Sequence, residues 1–257
     1  MLEKTVYFGT EDDLTLIKCP STGLTRSLVS WRTSGTYLSG GGYSRASGVA
    51  HNELSVSWGG DSVEDFATLI TQINKNEVLY YLDPLSMKTN ILPPYAAQYQ
   101  PDNPYGVSSV SGGAGSNGYP AKASVYSSDT TLYKTPVPSG YRLWVGAHGT
   151  GSVNVSSSLA SGIVTAIPTA NTNRVTTSFV GGSTYTLSVA ANSTFYGVVA
   201  QILPEGVTPT TGGFIPGMGF SGLRVKDDPQ ITEYSATLEN YQIAMTVNFI
   251  EVETWES

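Results

Sequence analysis

The stretch that decides the fold runs from Glu53 to Leu82, ELSVSWGGDSVEDFATLITQINKNEVLYYL. Leu54, Val56 and Trp58 alternate with Glu53, Ser55 and Ser57, which predicts a strand with one buried face. Asp61 or Ser62 then offers an N-cap, with Glu64 or Asp65 three residues on. Val63, Phe66, Ile70 and Ile73 recur at helical spacing, with Thr71, Gln72 and Asn74 on the other side. Val78 to Leu82 is a continuous apolar run stopped by Asp83-Pro84. Strand, helix and strand therefore follow in order. With shorter strands at Thr5–Phe8 and Leu14–Lys18, they predict a small sheet packed on one helix.

Beyond this stretch the chain changes character. Asn90 to Ala97, NILPPYAA, reads as an extended, apolar, surface-lying arm, because its prolines disfavour a helix. Val107 to Gly118, VSSVSGGAGSNG, has linker composition. From Ala123 to Leu203 short alternating segments recur at Ala123–Tyr126, Tyr141–Ala147, Val153–Ser156, Ile163–Ile167, Arg174–Val180, Tyr185–Val189 and Phe195–Leu203. Turn signals such as Pro138-Ser139-Gly140 and Gly181-Gly182 separate them, which predicts a β-sandwich. A Gly-rich hinge, Gly212 to Gly222, leads into the last block. There Ile243, Met245, Val247 and Phe249 share one strand face, and Ile250 and Val252 the opposite one. That phase switch predicts a bulge at Phe249-Ile250, or a strand leaving one sheet for another environment. The expected organisation is a sheet-plus-helix domain with its arm over 1–106, a flexible linker over 107–121, and a separable sandwich over 122–212. The closing block, 213–257, is a hairpin and long strand packing on a domain or a neighbour. The fold class is mainly β.

Charge follows the same division. The first 105 residues carry seven basic and eleven acidic side chains, the next block to 212 four and two, and the remainder two and seven. Charged residues are 13% of the chain, about half the usual share, and 31 Ser, 29 Thr and 28 Gly fill the deficit. With net charge −7, no basic stripe exists for nucleic acid. No apolar run reaches membrane-spanning length. The N-terminus lacks a signal peptide's basic and apolar regions, so synthesis in the cytoplasm is expected. The single Cys19 excludes an internal disulfide framework.

Catalytic signatures are nearly absent. There is no Gly-x-Ser-x-Gly, no phosphate loop and no His-Glu-x-x-His. Gly113 to Gly118 formally matches a dinucleotide fingerprint, but Tyr119-Pro120 stands where the helix must begin. His51 and His148 lie far apart with no Cys/His cluster, so no metal or cofactor is expected. His148 reads as a turn residue bonding backbone. Asp227-Asp228 and Glu11-Asp12-Asp13 read as solvated turn acids. Trp31, Trp58, Trp144, Trp255 and the tyrosines could line a sugar-stacking platform, although Trp144, within a strand, reads more simply as core packing. An enzyme is not expected.

Two stretches carry a family resemblance. Trp58-Gly59, Asp83-Pro84 and Asn90-Ile91-Leu92-Pro93-Pro94-Tyr95-Ala96 resemble the opening domain of minor tail proteins of bacteriophages infecting actinobacteria. Ser221-Gly222-Leu223-Arg224, Pro229, Thr232 to Glu239 and the closing Glu251-Val252-Glu253-Thr254-Trp255 resemble their ending. The layout is also similar to distal tail proteins of long-tailed phages, in which a ring-forming domain carries a galectin-like or jelly-roll-like sandwich. The resemblance implies a virion structural protein at the tail tip. It implies a homo-oligomer, six copies favoured and three as runner-up, in contact with other tail proteins. The expected subunit interface is Ile91, Leu92, Pro93, Pro94 and Tyr95 of the arm with Phe249, Ile250, Val252 and Trp255 of the terminal strand. The alternative is a carbohydrate-binding module or adhesin contacting host surface glycan. A cell-wall hydrolase ranks third.

Overall fold

A computed structural model describes residues 5–20, 24–29, 32–36, 42–46, 51–61, 63–100, 108–111, 118–168, 175, 177–209, 213–220, 222–235 and 241–252. Its first elements are β1 (Thr5–Gly9), β2 (Leu14–Lys18), β3 (Leu24–Val29), β4 (Arg32–Thr36), β5 (Gly42–Ala46), β6 (His51–Asp61) and α1 (Val63–Ile73). Then come β7 (Tyr80–Leu82), α2 (Pro84–Thr89), α3 (Pro94–Ala97), β8 (Ser108–Ser111), β9 (Lys122–Tyr126), β10 (Thr130–Val137) and β11 (Tyr141–Thr150). The chain continues through β12 (Ser152–Ser156), β13 (Ser161–Thr165), β14 (Thr177–Val180), β15 (Ser183–Val189) and β16 (Ser193–Pro204). It closes with β17 (Gly222–Val225), β18 (Gln230–Ser235) and β19 (Tyr241–Val252). The protein is mainly β, and its strand ladders are antiparallel.

Two cores organise these strands. In the first, β6 delivers Leu54, Val56 and Trp58 to one face, and β19, its antiparallel partner, delivers Met245, Val247 and Phe249 to the same face. Helix α1 packs against β19, β2 and β1 with Leu69 and Ile73 buried. Val6 and Phe8 of β1 close this core, Phe8 lying 5.9 Å from the Phe249 ring. The last block thus supplies a central strand of the sheet that the first block begins, in the order β17-β19-β6-β3, with β18 also on β19.

The second core lies between a four-stranded sheet, β10-β15-β12-β13, and a five-stranded one, β14-β11-β16-β9-β8. Tyr185, Leu187 and Val189 alternate with Thr184, Thr186 and Ser188 on β15, so the small hydroxyl residues face out. Leu143, Val145 and Ala147 of β11 oppose Ile202, Ala200 and Val198 of β16 across their ladder. The three-stranded sheet β2-β1-β7 separates the cores: Phe8 and Tyr81 belong to the first, while Leu82 belongs to the second and Tyr7 packs against it.

The structure corrects several expectations. The arm is neither extended throughout nor on the surface. Ile91 and Leu92 are fully buried in the second core, and Pro94 opens the helical turn α3. Proline is tolerated there because a first-turn N–H has no intrahelical acceptor to lose. Asp83 does not merely stop a strand, since its Oδ1 accepts the N–H groups of Leu85 and Ser86 and caps α2. Within the expected linker, Ser108–Ser111 pairs with Lys122–Val125 and Tyr119 is buried, while residues 112–117 lie outside the described ones.

The bulge expected at Phe249-Ile250 is absent. Alternation continues through Glu251, which is buried opposite Leu223, and leaves Ile250 and Val252 half-buried on the outer face. The register irregularity sits at the strand's other end, where Ile243 faces Asp61, Ala244 faces Gly59, and Gly60 is the extra residue. The Gly-rich segment is a packed strap rather than a hinge, with Phe214, Gly217, Gly219 and Phe220 buried. His148 lies fully buried inside β11, against Tyr119, and not in a turn.

Candidate functional site

The arm and the strap build one continuous surface feature of the sheet that carries β16. Strand β9 pairs only with the first three residues of β16. Farther along, the free edge of β16 is taken by the arm. Ile91 N donates to Ala200 O (2.8 Å), and Asn90 Oδ1 accepts from Ala200 N (3.1 Å). Asn90 Nδ2 donates to Val198 O (3.1 Å) and Ile215 O (2.9 Å), so a buried amide uses both of its ends. On the far side Met218 N donates to Asn90 O and Gly219 N to Leu92 O. A Cβ at Gly219 would fall on the Ile91 carbonyl oxygen, and one at Gly217 on that of Leu92. Glycine is required here for close backbone approach.

Of the expected interface residues, Ile91, Leu92 and Pro93 are therefore buried inside the chain, and Phe249 is fully buried in the first core. Ile91 and Leu92, expected at a subunit interface, are covered by the chain's own strap and sandwich. Pro94 and Tyr95 are half-exposed, as are Ile250 and Val252. Trp255 lies outside the described residues, as does Trp31. Trp58 is buried in the first core, and its Nε1 donates to Lys18 O (3.1 Å). Trp144 is half-buried on the sheet's outer face, opposite Gln201 and Ser178. No flat tryptophan platform forms among the described residues.

The two units also meet at a narrow aromatic strut. Tyr7 of β1 and Tyr141 of β11 stand edge to face, 5.7 Å apart at 87°. Beside them Lys134 Nζ pairs with Glu11 (2.6 Å), and Tyr133 Oη donates to Phe220 O (2.9 Å). A cleft opens on each side of Tyr7. One, of about 300 Å³, is apolar, lined among others by Leu16, Leu82, Met87, Tyr141, Leu203 and Val207. The other, of about 630 Å³, is polar. Tyr7, Glu11, Asp12 and Leu14 form one wall, and Pro136 to Ser139, Ser158 and Gly182 to Thr184 the other.

The turn bearing Glu11 and Asp12 is held from behind. Asp13 accepts from Lys75 Nζ (2.6 Å) and Gln72 Nε2 (3.0 Å) of α1 and its C-terminal extension. The Lys75 and Gln72 hydrogen bonds hold its carboxyl below the ordinary aspartate range. Cys19, half-buried, has its thiol pushed up by burial and by nearby Asp83, which disfavours the reactive thiolate.

The polar cleft was not legible in the sequence. Its turn residues are each recognisable as turns, but the β10–β15 ladder that sets Pro136 opposite Thr184, and the contact of both with the β1–β2 turn, are non-local. Compared with known proteins, the chain matches no family model, no curated protein and no solved structure.

Proposed function

We propose that the protein is a structural subunit of a bacteriophage tail, at or near its tip, that assembles through its sheet faces into a homo-oligomer. In this reading the β6–β19 sheet with α1 is the ring-forming, distal-tail-like unit, and the second core is the projecting galectin-like or jelly-roll-like sandwich. The observation that supports it is the outer face of β6 and β19. These strands are eleven and twelve residues long. Ser55, Ser57, Thr246 and Asn248 present short uncharged side chains there, with Ser57 and Thr246 hydroxyls 2.8 Å apart. Ile250 and Val252 add apolar area at one end. The one described acid on this face, Glu53, is paired with Lys226 (2.8 Å), so the face is low in unpaired charge, as interface cores are. The resemblance to minor tail proteins supplies the setting, six copies in a ring, with three as the alternative.

Native mass spectrometry tests this. The expected result is a hexamer or trimer at micromolar concentration, reduced to monomer by Ile250→Lys with Val252→Lys. A wild-type monomer at about 100 µM would overturn the proposal, that concentration being far above the dissociation constants of stable homo-oligomers.

A further inference from the structure

We propose that the polar cleft between the β1–β2 turn and the sandwich edge binds an uncharged oligosaccharide. The cleft's volume of about 630 Å³ lies inside the range of small-ligand sites. Its chemistry narrows the ligand. Ser139, Ser158, Ser183 and Thr184 place hydroxyl groups along one wall, and each hydroxyl both donates and accepts. Glu11 and Asp12 place carboxylates, which only accept, on the other. Pro136 and Pro138 add apolar surface to the hydroxyl wall and Tyr7 to the acidic one. A ligand matching this set carries many hydroxyl donors, to satisfy the carboxylates and serines, and C–H faces to lie on proline and tyrosine. A saccharide ring has both.

Charge sharpens the choice. Among the described residues that line the cleft there is no Lys or Arg, and Lys134 is paired with Glu11, so a phosphate or carboxylate on the ligand would meet Asp12 unshielded. An ammonium group gains only that one acid, at an exposed position where a single pair contributes little. Uncharged sugar units fit best.

The cleft is also built before a ligand arrives. Ser158 and Ser183 hydroxyls hold each other at 2.9 Å. Gly182, at φ +92°, leaves open the space beside Ser139 that a side chain would enter. Tyr7 is fixed by Tyr141, and the acidic turn by Asp13 with Lys75. Beyond Thr184 the cleft runs onto the hydroxyl-covered outer face of β15 and β12, where Thr186 lies opposite Ser156 and Ser188 opposite Asn154. A chain longer than a disaccharide therefore has surface to follow.

This inference does not depend on the tail-subunit reading. The full chain is titrated with lactose, cellobiose, maltose and maltotriose, followed by saturation-transfer NMR and calorimetry. The charged comparison compounds are glucosamine disaccharide and digalacturonic acid. Binding of at least one neutral sugar is expected, weakened roughly tenfold or more by Asp12→Ala with Thr184→Val, and by Ser158→Trp, which fills the cleft. Unchanged thermal unfolding of these variants, at exposed Asp12 and Ser158 and half-buried Thr184, shows that the fold is kept. No saturation transfer from any neutral sugar at about 10 mM, a concentration that reveals even millimolar binding, would overturn the proposal. Binding that survives both variants, or preference for a charged disaccharide, would overturn it equally.

Discussion

At the scale of single residues, the most informative side chains anchor turns and edges. Asp13 connects the β1–β2 turn to α1 through Lys75 and Gln72, and the Asn90 side chain joins β16 to the strap through Val198, Ala200 and Ile215. For Asp13 the consequence is a pH effect with a definite sign. Its folded-state pKa is depressed, so its contribution to stability is present above the ordinary aspartate value of about 3.9. That contribution is lost as pH falls through the folded value. The thermal midpoint should therefore drop as pH falls below the ordinary aspartate range, and Asp13→Asn should flatten that limb while lowering the midpoint at neutral pH. A midpoint with the same acid limb in the variant would exclude this role. None of these anchors is visible locally. Asn90 and Val198 are far apart in the chain, and an asparagine ahead of two prolines looks like any other turn residue.

At the scale of elements, period-2 alternation identified most of the strands because one face of each is buried. The pattern on Leu54, Val56 and Trp58 and that on Tyr185, Leu187 and Val189 are the clearest cases. Helix α1 was legible for the corresponding reason at period 3.6. Thr130–Val137 was not, since it carries polar residues at half-buried positions and a register shift between Thr131 and Tyr133. The arm and the strap misled because both lack internal periodicity. Their structure comes from docking on β16, and burial there needs prolines and glycines rather than an alternating pattern. Their role is quantitative. Leu92→Ala removes a fully buried side chain and should cost about 3 kcal/mol. Gly219→Ala drives a methyl group into a backbone carbonyl and should cost about as much. Gly140→Ala, with nothing near the added carbon, should cost only the left-handed penalty of about 1 kcal/mol. Urea unfolding of the three variants checks the order, and equal losses at 219 and 140 would show the strap to be loosely docked.

For the whole molecule, the composition supported β-structure in two units, but charge blocks do not mark where the cores divide. Met87, Ile91 and Leu92 precede the composition boundary yet belong to the second core, and Phe214 follows the sandwich yet covers Gly197 on its outer face. A fragment of residues 118–209 should accordingly expose the outer face around Gly197, Val199 and Gln201 and bind a hydrophobic dye. Residues 84–220, which keep arm and strap, should unfold in one cooperative transition. A cooperative, dye-negative 118–209 fragment would show that the sandwich stands without them. The pairing of β6 with β19 also sets a timetable. When β6 leaves the ribosome its partner is still about 180 residues away, roughly 10–40 s at ordinary translation rates. Throughout that interval Leu54, Val56 and Trp58 have no β19 side chains to pack against, and the edge of β6 opposite β3 has no ladder. The nascent chain is thus most exposed to aggregation in its first-made half, and that half should be the part chaperones hold until the last strand is synthesised.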